Sequence, residues 1–75
     1  DPDAARAARM AEITELKNML MTQASKAIAP LQDAVELEIA TSEEQAQLAA
    51  WKKYRVLLSR TDPEAPDIIW PENPA

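Results

Sequence analysis

The sequence predicts an all-α fold: an antiparallel helical hairpin with a long first helix kinked at Pro30, a shorter second helix, and an extended Pro-rich tail. Three observations carry this. From Asp1 to Thr41 the chain is dominated by Ala, Leu, Met, Glu, Lys and Arg, the strong helix formers, with only Pro30 to interrupt it after the first turn. Thr41-Ser42-Glu43-Glu44 has the spacing of a capping box, which marks a second helix start. Four prolines fall in the last 15 residues, where a helix cannot persist.

The first helix is expected over residues 1–39. Pro2 suits a first-turn position, Asp1 can act as N-cap, and Asp3 is favourable at the positive end of the helix. Apolar residues at Ile13, Leu16, Leu20, Ala24, Ala27, Leu31 and Val35 approximate the alternating 3 and 4 spacing of a packing seam. Pro30 removes the hydrogen bond to Lys26, and Ala29 is a poor N-cap, so a kink is expected in preference to a break.

The second helix is expected over residues 42–60. Gln47, Trp51, Tyr54 and Leu58 form one row, flanked by Ala50 and Leu57, while Lys52, Lys53, Arg55 and Arg60 fall in later turns, where cations complement the dipole. A link of two or three residues around Ala40 makes the helices antiparallel neighbours. In the tail, residues 61–75, Ile68, Ile69 and Trp70 are too apolar for a purely solvated segment. The tail is expected to fold back, with Ile68 or Ile69 and Trp70 covering the hairpin, the alternative being an exposed docking peptide.

Composition removes most chemistry. With no His or Cys there is no imidazole base, thiol nucleophile or disulfide, nor a zinc site of the usual kind, and with no Gly there is no phosphate-cradling loop or nucleophile elbow. The acids cluster near the helix turn on a hairpin too small for a concave pocket, so no catalytic residue, metal site or cofactor is expected. Fifteen of the apolar residues are alanine, leaving thin material for a core, so the chain is expected to lean on a partner, on another copy, or on further chain. Asp1 in place of Met suggests a piece of a longer protein.

The formal charge is −5, and it is laid out in blocks: five acids and no base in residues 31–47, then four bases and no acid in residues 48–60. An acidic module of this kind repels nucleic acid on average, and neither a signal peptide nor a run of about 20 apolar residues is present, so no nucleic-acid or membrane partner is expected.

Trp51-Lys52-Lys53-Tyr54-Arg55, the short loop containing Asp62, and Pro66-Asp67-Ile68-Ile69-Trp70-Pro71 carry the densest information. Here the chain resembles the C-terminal region of the phage tail fibre assembly proteins, the tail-fibre chaperones of tailed phages and prophages. Ile28-Ala29-Pro30-Leu31-Gln32-Asp33-Ala34-Val35, Ala40-Thr41 and Glu44 fit the same pattern, so the resemblance covers roughly residues 24–74. Glu38 stands where that family often carries glycine.

The resemblance implies the helical C-terminal module of a longer chaperone that helps fold and trimerise the distal part of a tail fibre. It also implies a place in the host bacterial cytoplasm, with some members staying attached at the fibre tip. The implied partner is the C-terminal region of the fibre protein. Candidate partner-binding or structural residues are Trp51, Tyr54, Arg55, Leu58, Ile68, Trp70 and Pro71. For Trp51 and Tyr54 the competing expectation is packing on the first helix; for Arg55 it is ion pairing with Asp62 or Asp67; for Trp70 and Pro71 it is service as a lid. A rival function is a helical spacer that makes the parent a homo-oligomer through the first helix, and a weaker one is an accessory domain of an enzyme.

Overall fold

A computed structural model describes residues 1–75. Helix α1 spans Pro2–Glu36 and helix α2 spans Ser42–Ser59. Asp1 caps α1, its Oδ1 accepting the Asp3 amide at 3.0 Å, with Pro2 behind it where a missing N–H costs nothing. Pro30 lies inside α1, which runs on through it to Glu36.

The end of α1 falls three residues before the expected 39, and hydrogen bonding explains why. The Glu38 amide donates to Val35 O at 3.0 Å and the Ile39 amide to Ala34 O at 2.9 Å, the paired bonds of a Schellman motif that satisfies the last carbonyls. Such a motif needs one residue in the left-handed region, and Glu38 takes it with φ of 60°. The site where the family pattern favours glycine is thus the one position whose backbone calls for it.

Helix α2 begins as its sequence requires. The Glu44 amide donates to Thr41 Oγ1 at 3.1 Å, and the Thr41 amide donates to Glu44 Oε1 at 2.9 Å, completing the capping box. Its other end departs from expectation: α2 stops at Ser59 and has no base in its last turn. Its terminal carbonyls are met from elsewhere. Val56 O accepts from the Arg60 amide and Ser59 Oγ, Leu57 O from Thr61 Oγ1, and Leu58 O from the Thr61 amide. Ser59 O accepts from Lys17 Nζ of α1 at 3.2 Å, and the same ammonium reaches Thr61 O at 2.8 Å. A cation from the opposite helix therefore sits at the negative end of α2.

That contact fixes the hairpin as antiparallel. At 1.5 Å per residue α1 is about 52 Å long and α2 about 27 Å, so the first third of α1 runs beyond its partner. The molecule measures 56 × 17 × 16 Å, and its radius of gyration is 15.7 Å, against about 11 Å for a compact chain of this size.

The core lies where the helices overlap. Ala24, Ile28, Leu48, Trp51, Tyr54 and Leu58 form one buried cluster, with Leu20, Met21, Ala27, Leu31 and Trp70 packed against it. Two expected rows need correction. Ile28 is buried while Val35 is 39% exposed, because α2 rests on a broad face of α1 that takes both Ala27 and Ile28 instead of a one-residue-wide seam. On α2, Leu48 is buried and Gln47 is exposed, which moves the start of that row by one residue.

The tail turns at Asp62–Ala65, where the Ala65 amide donates to Asp62 O at 3.1 Å and the Glu64 amide to Asp62 Oδ1 at 2.9 Å. Arg9 Nη2 donates to Pro66 O at 3.3 Å, tying this turn to the projecting part of α1. The chain then returns to set Trp70, half-buried, against the core, with Ile68 also half-buried and Ile69 88% exposed.

Two stability measurements follow from this geometry. Glu38→Gly relieves a left-handed residue that carries a Cβ and should stabilise by about 1 kcal/mol, raising the melting temperature by about 4–8 °C; a lower melting temperature would contradict the capping assignment. Trp70→Ala should cost about 2 kcal/mol, less than a fully buried ring because half of it is covered, while Ile69→Ala should stay within about 0.5 kcal/mol. Equal effects of the two substitutions would show that the tail does not dock through its tryptophan.

Candidate functional site

The residues singled out by sequence converge on α2 and on the tail lying across it. Trp51, Tyr54 and Leu58 recur at steps of 3 and 4 along α2 and so share its inner face. All are buried, Tyr54 at 3% exposure and Leu58 at 0%. The Trp51 and Tyr54 rings meet edge to face, with centroids 5.8 Å apart and planes at 80°, an arrangement worth about 0.5–1.5 kcal/mol beyond burial. Ala24, fully buried on α1, supplies the small side chain that lets these rings approach.

Tyr54 is more than a core residue. No buried polar side-chain atom lacks a partner, and Tyr54 enters none of the side-chain hydrogen bonds, so its hydroxyl opens to solvent. It lines a groove of about 440 Å³ between Ala50, Lys53, Tyr54 and Leu57 on α2 and Glu72, Asn73, Pro74 and Ala75 of the tail. A second groove of about 350 Å³ lies between Arg6, Arg9 and Met10 of α1 and Pro63–Pro66. Both are open, and no three His, Cys, Asp or Glu side chains gather in a group able to hold a metal ion.

Ile68, Trp70 and Pro71 are each half-buried, and Trp70 packs on the same cluster as Trp51 and Tyr54. Arg55 departs from expectation. It is half-buried but makes none of the side-chain hydrogen bonds, and Asp62 accepts instead from the Glu64 amide within its own turn. The expected Arg55 ion pair is replaced by a local turn bond that a carboxylate two residues upstream of an amide makes readily.

Lys17 and Arg9 lie outside the set of residues that the sequence motifs mark, yet they hold the hairpin end and the tail. Lys17 was within reach of sequence reasoning. In an antiparallel hairpin, residues equally far from the turn face each other, and Lys17 and Thr61 both lie 22 residues from Ile39. Arg9 gives no such signal, because its partner is a tail carbonyl whose path no periodicity describes. No helix of the chain is long and apolar enough to cross a membrane.

The family described as "Caudovirales tail fibre assembly protein, lambda gpK" matches residues 1–75. Over 75 residues the chain is 61% identical to Protein TfaD of Escherichia coli (strain K12), covering 99% of this chain and 40% of that protein. It is 57% identical over 75 residues to the Tail fiber assembly protein of Escherichia phage lambda, covering 99% of this chain and 39% of that one. To Tail fiber assembly protein U of Escherichia phage Mu it is 45% identical over 58 residues, 77% of this chain and 32% of the relative. The chain thus spans 40% or less of the length of these curated relatives. No solved structure matches it. Matched by the family model along its whole length, and 61% and 57% identical to two of its relatives over 75 residues, the chain belongs to the Caudovirales tail fibre assembly protein family.

Proposed function

We propose that this chain is the noncatalytic helical module of an assembly chaperone that helps a phage tail fibre fold and trimerise at its distal part. The observation that carries the reading is the family match over residues 1–75, joined to relatives named for tail fibre assembly. The physical chemistry is consistent with it. A chain without histidine, cysteine or glycine lacks thiol nucleophiles, imidazole bases and glycine-built nucleotide cradles. What it offers is surface: a docked tail, two open grooves, and apolar side chains such as Leu57 and Ile69 left 38% and 88% exposed. A chaperone of this kind acts by binding an assembly-competent form of its client better than the aggregating alternatives, shifting populations by mass action.

The test is to express the fibre encoded beside the gene with the full-length parent, without it, and with a parent carrying Trp51→Ala and Tyr54→Ala. These substitutions remove the ring pair of the core. Heat-resistant soluble trimer should be abundant only with the intact parent. Equal yield with and without the parent would remove the chaperone reading.

One observation favours self-association as a second reading. No residue before Ala24 in α1 is fully buried, Leu16 and Met19 are 39% and 62% exposed, and α2 does not reach the first third of α1. Sedimentation equilibrium of the chain should then show a dimer or larger species, which Leu16→Lys weakens. A strict monomer at high concentration would confine the module to its client.

A further inference from the structure

Helix α2 and its C-cap residue carry four cations, Lys52, Lys53, Arg55 and Arg60, and none of them makes a side-chain hydrogen bond within the chain. On α1, by contrast, two of the four cations are engaged: Lys17 caps the end of α2 and Arg9 holds the tail, while Arg6 and Lys26 make no side-chain hydrogen bond. The α2 cations also lack helical neighbours of opposite sign. No acid stands three or four residues from any of them within Ser42–Ser59, although a solvated helix commonly supplies such partners. Lys52, Lys53 and Arg60 are exposed, and Val56, spaced three or four residues from each, is 45% exposed among them. An apolar side chain ringed by cations without hydrogen-bond partners in the chain thus forms the outer face of α2, on a molecule whose formal charge is −5.

We infer that the outer face of α2, built from Lys52, Lys53, Val56 and Arg60, docks an acidic segment of the client protein with an apolar side chain at its centre. The inference rests on the assembly reading and adds to it the surface used and the chemistry of the partner. Charge complementarity selects the occupant. The remaining surface, with eleven acids against four bases outside residues 42–60, repels an acidic segment on average, so this face is the one that draws it in. The fold does not need these cations, because Lys17 and Thr61 already satisfy the end of α2. Rim charges of this kind act mainly on the rate of encounter and on its salt dependence, while Val56 supplies the desolvated contact.

The test uses the full-length parent and the fibre encoded beside its gene, with association measured at about 0.1 M and about 0.5 M salt, below and well above strong screening. Lys52→Gln, Lys53→Gln and Arg60→Gln together should weaken binding about tenfold at the lower salt and abolish most of its salt dependence. A control with the same charge change on exposed α1 positions, Thr14→Glu, Thr22→Glu and Gln23→Glu, should bind as the wild type does, and circular dichroism should show both variants equally helical. Undiminished binding by the triple Gln variant, with the wild type still raising trimer yield, overturns this inference and leaves the assembly reading standing. A wild type that binds no fibre removes both. Salt-dependent self-association of the chain alone, lost in the triple variant, assigns the face to a second copy and overturns the inference, as does tight binding of a 20-nucleotide single strand that the fibre cannot displace.

Discussion

The structure depends on one packing arrangement: Trp51, Tyr54 and Leu58 of α2 seated against the small side chain of Ala24 and the branched side chain of Ile28. Only seven residues of the chain are buried, so there is no second cluster to hold the helices if this one fails. The alanine matters as much as the rings, because a larger side chain there would hold the two helices apart and open voids around them. Everything outside the overlap is organised around it. Lys17 closes one end, the turn at Leu37–Ala40 closes the other, and Trp70 covers a side.

The tail contributes little through its backbone. Its prolines at 63, 66, 71 and 74 carry no amide to donate, and beyond the Asp62 turn the bond from Arg9 is its only hydrogen bond to a helix. Its attachment therefore resides in side chains, Trp70 above all. Helix α1 is used unevenly for a similar reason. Its latter two thirds face α2, while the third nearest Asp1 is an alanine-rich cylinder whose helix is held by propensity, by its cap, and by one arginine.

Much of the fold was legible because its determinants are local. The capping box at Thr41 and Glu44 is a four-residue signal, Asp1 and Pro2 another, and the proline-dense tail a third. The helix-compatible Pro30 was harder. A proline in a helix interior costs about 3 kcal/mol through its lost hydrogen bond and ring clash, and packing on both sides of it, by Ile28 and Leu31, opposes a break in α1. Ile28 takes the core place that a narrow seam would give to Val35, because α2 rests on a wider face of α1. At the candidate site, burial of Trp51, Tyr54 and Leu58 follows from helical spacing, but the bond of Arg9 to Pro66 and the idle guanidinium of Arg55 depend on the path of an irregular tail, which has no period to read.

The central claim is that one cooperative core, confined to the overlap of the two helices, supports the whole module. Amide hydrogen exchange tests it most directly. The amides of Ala24–Leu31 and Trp51–Leu58, Pro30 having none, should share a single, highest protection equal to the global unfolding free energy, while those of Asp3–Leu16 exchange orders of magnitude faster. Protection that is uniform along α1, or higher before Leu16 than at Ala24, would contradict this account and show that the helix is held by something other than the aromatic core.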